Sequence, residues 1–254
     1  MNTKNKIALV TGGSRGLGKN MALAIAKKGI DVMLTYNSNK EAADTVVAEI
    51  ESLGQKAVAF QLDTSDTKLF DNFIKQATSY LQAQTASPNF DYLVNNAGTA
   101  LYALAAETTE EQLDATFNIH YKGVFFLTQK AVPFINDGGG IINISSGLTR
   151  ITMPGSSVYS SIKTAVETLT RYLAKELGSR KIRVNVIAPG AIETDFGGGR
   201  TRDNQEINER VAGLTALGRV GLPGDIGGVV AFLCTEDAQW INGQRIEVSG
   251  GQAL

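Results

Sequence analysis

The chain is poor in the residues that mark several functional classes. It has one cysteine, Cys234, so no intrachain disulfide can form, and its one histidine leaves no Cys/His cluster with zinc spacing. A reducing, cytoplasmic setting and no protein-built metal site are the expectations. Neither sign of charge is in excess: 24 basic residues face 25 acidic ones, for a formal net charge of −1. That balance lacks the basic footprint sought by phosphate backbones or anionic lipid, so neither nucleic acid nor a membrane is an expected partner. No apolar run approaches the ~18 to 20 residues of a membrane span, and the opening MNTKNKIALVTGG has no leader-like segment. Export by a signal peptide is not expected. With 43% apolar residues over 254 positions, and no linker, repeat or low-complexity tract, the chain reads as one domain, 1–254.

Short β-branched or apolar runs recur at Ile7–Val10, Val32–Thr35, Ala57–Leu62, Tyr92–Val94, Ile141–Ile144, Ile182–Ile187 and Ile246–Val248. Each reads as a strand. Between them, helical spacing covers Leu17–Lys28, Lys40–Leu53, Thr67–Leu81, Glu110–Ile135, Ser157–Leu177 and Asp225–Leu233. This alternation predicts an α/β fold, a Rossmann-like doubly wound parallel sheet with helices on both faces. Two stretches break the rhythm: Gln82–Asn89 reads as a surface loop, and about 195–213, with Gly197, Gly198 and Gly199, reads as a mobile substrate lid.

The first strand runs into TGGSRGLG, Thr11 to Gly18, and then into a helix. Strand, glycine turn and helix N-terminus together form an anion site, because small residues let the backbone approach a pyrophosphate while free amides and the helix dipole favour its charge. Gly12, Ser14, Arg15, Gly16, Leu17 and Gly18 are therefore candidate cofactor contacts. The second strand ends in Tyr36, Asn37 and Ser38, with no carboxylate to hold the ribose hydroxyls of NAD. Arg15 offers a planar fork to a 2′-phosphate. NADP(H) is accordingly favoured over NAD(H).

Tyr159 and Lys163 stand four apart at the start of a long helix, hence on one face. A phenol of pKa ~10 is a poor base, but a cation ~4 Å away at an effective dielectric of ~20 offers ~4 kcal/mol, about three pKa units. The pair alone is a weak signal, since any amphipathic helix can carry it by chance.

In its ordered motifs the chain resembles the short-chain dehydrogenase/reductase family over nearly its whole length. TGGSRGLG, LDTSD at 62–66, NNAG at 95–98, YSSIK at 159–163 and APG at 188–190 are similar to the family's motifs in the same order. The resemblance implies a single-domain oxidoreductase moving hydride between nicotinamide and a carbonyl or secondary alcohol. It implies Tyr159 as acid and base, Lys163 as the group that tunes it and holds the ribose, and Ser146, thirteen residues before Tyr159, as the hydroxyl that binds the reacting oxygen. It also implies that Asp63 and Thr64 border the adenine and that Asn96, Ala97 and Gly98 line the cofactor. Pro189, Gly190, Ile192 and Thr194 would face the carboxamide.

At one position the chain departs from that pattern. Where relatives carry an Asn that holds a water linked to the Lys, this chain has His120, and the expectation is that its ring takes over that contact. The helix end Pro133–Gly138 has none of the basic residues that meet an acyl carrier protein, and Ser249 stands where Asp is frequent. Leu101, Tyr102, Leu104, Leu148, Met153 and Phe196 suggest a moderately apolar pocket for a small carbonyl or alcohol substrate. The resemblance further implies a homotetramer. The competing reading is a dinucleotide-binding regulator with little turnover; a longer sugar-nucleotide epimerase would need a substrate domain for which there is no room.

Overall fold

All seven apolar runs become strands of one parallel sheet. The computed structural model describes residues 5–254; Met1–Lys4, where the expectation of no leader segment begins, lie outside them. The strands are β1 (Ile7–Val10), β2 (Asp31–Tyr36), β3 (Ala57–Gln61), β4 (Phe90–Asn95), β5 (Ile135–Ile144), β6 (Arg183–Pro189) and β7 (Arg245–Val248). Their spatial order is β3-β2-β1-β4-β5-β6-β7. Ala8 of β1 registers with Val32 of β2 and Tyr92 of β4, so the first strand sits where the winding reverses. In such sheets the crevice beyond the carboxyl ends of the strands opens at that point.

The sheet is buried on both faces, which is why its strands read as near-continuous apolar runs. Ala8 and Val10 point into one layer, with Met21 and Ile25 of α1 (Gly16–Ala26), Val46 and Ile50 of α2 (Lys40–Ser52), and Val230 of α9 (Pro223–Leu233). Ile7 and Leu9 point into the other, with Phe70 and Phe73 of α3 (Phe70–Thr85), Leu127 of α5 (Gly123–Ala131) and Ala174 of α6 (Ser157–Glu176). This is the expected Rossmann-like architecture in a single domain.

Several boundaries differ from the pattern. The expected loop at Gln82 begins later, because α3 continues to Thr85 and ends at Ala86, whose φ of 58° is left-handed. The helix expected over Glu110–Ile135 is broken into α4 (Glu110–Phe117), a π turn at Asn118–Lys122, α5, and a 3-10 turn at Val132–Phe134. Pro133 lacks the N–H that would continue the α-helix, and β5 already begins at Ile135. The stretch at 196–213 is not irregular chain: Gly197, Gly198 and Gly199 turn at positive φ, then α7 (Arg200–Asp203) and α8 (Gln205–Gly213) follow. The triplet masks a helical pattern that starts only after it.

Candidate active site

The glycine loop closes the end of β1. Gly12 and Gly16 adopt φ of 64° and 53°, which an L side chain resists. At Gly18 a Cβ would lie 2.0 Å from the Gly12 carbonyl oxygen, so no larger residue lets the loop fold back on α1. Asn96 secures the loop from β4, its amide donating to the carbonyls of Thr11 (2.8 Å) and Gly12 (3.2 Å), while Thr11 Oγ1 accepts from the Asn96 and Ala97 N–H groups. The Asn96 side chain therefore holds the loop that would hold a cofactor. α1 starts at Gly16 without a side-chain cap, leaving its first amides free at the crevice.

At the end of β2, Asn37 and Ser38 are exposed whereas Tyr36 is buried in the core. Asp63 is engaged by its own turn, accepting from Ser65 N and Oγ. Arg15 is not free. Its Nη1 donates to Asp195 at 2.6 Å, and the Asp195 carboxylate also lies close to Gly16, where a Cβ would come within 3.3 Å of it.

Ser146, Tyr159 and Lys163 lie near one another. Ser146 follows β5 and caps the short turn Gly147–Thr149, accepting from the Leu148 N–H at 3.2 Å. Ser146 stands close enough to the Tyr159 phenol to oppose part of its shift, and Lys163 Nζ sits 5.7 Å from the centre of the Tyr159 ring. Lys163 donates to the Ile144 carbonyl at 2.7 Å, and burial pulls its ammonium from 10.5 down to about 7. The lowering of Tyr159 by Lys163 does not appear in this geometry. Burial raises the phenol above 10.0, Tyr102 adds to the rise and Ser146 opposes it. An ammonium that itself sheds its proton near neutrality is a weak source of positive potential, so desolvation wins. The phenol therefore stays protonated in the neutral range.

His120 lies in the same site. The π turn adds a residue to the helical winding, and the ring stands edge-on to Tyr159, centroids 5.2 Å apart at 87°. Gly98 makes room for it, since a Cβ there would come within 2.4 Å of the imidazole. Burial, reinforced by the Lys163 charge and opposed by the Thr99 backbone, holds the ring well below 6.5, hence neutral at pH 7. Nε2 lies 2.7 Å from the Thr99 carbonyl and 3.3 Å from the Thr99 N–H, and the shorter contact to the carbonyl favours the proton on Nε2. Nδ1 is then a lone-pair acceptor, buried and with no partner among the described residues.

The segment after β6 covers this group. Ile192 bridges to Gly221, Thr194 is buried, the Phe196 ring stands 6.2 Å from that of Tyr159, and Gly190 donates to Val248 from the end of β6. Tyr102 packs on Gly197 and under the Arg200 guanidinium, 5.2 Å from its ring centre.

Known proteins resemble the chain over nearly its whole length. A family model described as Enoyl-(Acyl carrier protein) reductase matches residues 12–253. A hydroxynaphthalene reductase-like protein of Metarhizium brunneum is 38% identical, with 97% of this chain and 94% of that protein covered. The promiscuous reductase LugOII, which carries out keto-reduction at C1 during lugdunomycin biosynthesis, superposes with a TM-score of 0.93 at 40% identity, covering 98% of each chain. This chain belongs to the short-chain dehydrogenase/reductase family. It is an oxidoreductase. The landomycin C-6 ketoreductase LanV, solved with NADP and rabelomycin, is similar too, at 36% identity and a TM-score of 0.89 over 98% of this chain and 96% of that one.

Some residues of this short-chain dehydrogenase/reductase escaped sequence reasoning. A buried polar chain joins β4, β5 and the helices: the Asn95 amide donates to Asn143 (2.9 Å) and Thr128 (3.0 Å), and the Asn143 amide to Thr170 (2.9 Å). Four polar side chains at strand and helix positions signal this in retrospect, but only the sheet order brings them together. Asp195 and Glu167 were equally unmarked. No helix among the described residues is long and apolar enough to cross a membrane, and no acidic, Cys or His group there could hold a metal.

Proposed function

We propose that this protein is an NADP(H)-dependent ketoreductase, reversible in principle, for a small carbonyl or secondary-alcohol substrate. One observation carries the reading: Ser146, Tyr159 and Lys163 meet beyond the carboxyl ends of the strands, beside the glycine loop. The loop fits a dinucleotide, with its tight glycines and free α1 amides, and the NADP bound by LanV supports that choice. When bound, the nicotinamide supplies hydride. Asn37, Ser38 and Arg15 would hold the adenosine end together with Asp63 and Thr64, and Pro189, Gly190, Ile192 and Thr194 the other end. Ser146 donates to the carbonyl oxygen where negative charge develops, and Tyr159 delivers its proton there. Lys163 orients the ribose. His120 receives a water on Nδ1, behind Tyr159 and Lys163, the contact expected from the Asn it replaces.

The same site supports a flat, partly aromatic substrate. Phe196 and Tyr102 flank Tyr159, and the relatives named for hydroxynaphthalene and solved with rabelomycin point the same way. For assembly, the stacked Phe117 and Tyr121 rings and the neighbouring Phe125 on the α4–α5 surface support the homotetramer; sedimentation at equilibrium tests it. Residues 195–213 serve as the lid, and the lone Cys234, which can form no intrachain disulfide, suits a cytoplasmic location.

Purified protein is assayed for oxidation of NADPH and, separately, NADH against α-tetralone, cyclohexanone, benzaldehyde and ethyl acetoacetate. Turnover with at least one ketone is the expected result; its absence with every carbonyl, despite NADPH binding, favours the regulator. For Arg15→Ala, NADPH affinity should fall about 10-fold or more while NADH affinity stays, since a charge-assisted bond is worth ~1.5–3 kcal/mol. The Asp195 pair that a 2′-phosphate must displace is exposed and worth only ~0–1 kcal/mol, so the phosphate wins. Fluorescence titration checks both values, and preference for NADH in the unaltered protein overturns the cofactor assignment. Replacing His120 by Ala is expected to cut kcat about 10-fold, by loss of a relay contact, with little change in the Kd for NADPH. Unchanged kcat makes the ring a spectator.

A further inference from the structure

Glu167 lies one turn beyond Lys163 on α6, so Tyr159, Lys163 and Glu167 recur at four-residue spacing along one buried stripe. A carboxylate four positions from an ammonium usually pairs with it. Here Lys163 donates to the Ile144 carbonyl instead, and the Glu167 carboxylate is occupied elsewhere. Its Oε1 accepts from Ser145 Oγ at 2.7 Å, Thr149 Oγ1 at 2.8 Å and Arg245 Nε at 2.8 Å. The two hydroxyls bracket Ser146: one directly precedes it, the other ends the turn that Ser146 caps. Thr149 Oγ1 also stands 2.9 Å from the Ser146 carbonyl and accepts from Arg245 Nη2 at 3.0 Å.

The cluster continues past this oxygen. Arg245 Nη1 donates to Glu247, which also binds Arg150, and Arg150 reaches the Gln252 carbonyl at 2.7 Å. The Gln252 side chain accepts from Ala191 N at 2.9 Å, in the loop that follows β6. Two carboxylates are matched by two guanidiniums, so the network is neutral and its members are held by several bonds each.

Resting on the catalytic reading above, we propose that Glu167 is a positioning residue. Its carboxylate pins the Ser146 turn at both ends to the helix that carries Tyr159 and Lys163, and so sets the spacing of the serine hydroxyl and the phenol. Neutralised by Arg245, it does this without drawing Lys163 into an ion pair. A displacement of ~1 Å at a reacting group can cost ~100-fold in rate, so slackening this tie should be felt in kcat.

The test is a double-mutant cycle in the full-length enzyme with NADPH and the best ketone of the panel. Glu167→Leu is expected to lower kcat about 10- to 100-fold with the Kd for NADPH within about twofold. Glu167→Gln keeps an acceptor oxygen and should recover kcat to within about fivefold of the unaltered enzyme. Combined with Ser146→Ala, the Leu substitution should add no further loss, because it acts through Ser146. Should Glu167→Leu fail to fold, Ser145→Ala with Thr149→Val removes both ties, spares the Arg245 ion pair and enters the same cycle. Wild-type kcat in the Leu variant, a Gln variant as slow as Leu, or losses that multiply with Ser146→Ala each overturn the proposal. If Ser146→Ala alone leaves turnover intact, the catalytic reading itself fails and the positioning role goes with it.

Discussion

Tyr159→Phe is expected to lower ketone reduction by about 10²- to 10⁴-fold while NADPH affinity stays within about twofold. The substitution removes one oxygen from a ring packed between His120 and Phe196, so shape is kept and only the proton is lost. Because burial raises the phenol above 10.0, it stays protonated through the neutral range. Reduction by the unaltered enzyme should therefore show no loss from deprotonation of this donor between pH 6 and about 9, whereas alcohol oxidation, which needs the phenolate, should climb with pH. Steady-state rates in both directions check the sign. Turnover that survives in the Phe variant rejects Tyr159 as the proton donor.

Lys163→Met is expected to cut turnover about 100-fold, because a misplaced ribose shifts the reacting ring by ~1 Å, and also to change how stability depends on pH. Burial lowers the ammonium from 10.5 to about 7. Below pH 7 the group is charged in both folded and unfolded chains, and the folded chain bears the full desolvation penalty. Between pH 7 and about 10.5 the unfolded chain keeps the proton that the folded chain releases, so the penalty shrinks as pH rises. At roughly 1.4 kcal/mol per pKa unit its upper bound is about 5 kcal/mol, offset by about 1 kcal/mol for the lost bond to Ile144. The Met variant should therefore melt higher than the unaltered protein at pH 6, with the gap closing toward pH 10. Thermal unfolding of the cofactor-free proteins across that range checks it; a gap that widens with pH contradicts the burial argument.

Local chemistry was readable in advance. TGGSRGLG between a strand and a helix signals the cradle because positive φ at Gly12 and Gly16, and the close approach at Gly18, are requirements that neighbours along the chain impose. Tyr159 and Lys163 share a face because the helix repeat puts them there. Ser146 needed the family resemblance to be selected over Ser145; the structure separates them, one capping the turn beside the Tyr159 phenol and the other hydrogen-bonded to Glu167. What misled the pattern was Gly197–Gly199, whose positive-φ turns suggest an unbroken loop although α7 and α8 follow at once.

The amino-acid sequence by itself determined the parallel α/β fold, the glycine cradle and the phenol–ammonium pair, since each depends on spacing within one or two adjacent elements. Only the tertiary structure decided the sign of the Tyr159 shift, the tautomer and orphaned nitrogen of His120, the Arg15–Asp195 contact and the Glu167 tie. Those depend on desolvation and on groups from distant parts of the chain, such as Arg15 and Asp195, 180 residues apart. Burial and long-range proximity are properties of the packed molecule, and no local spacing encodes them.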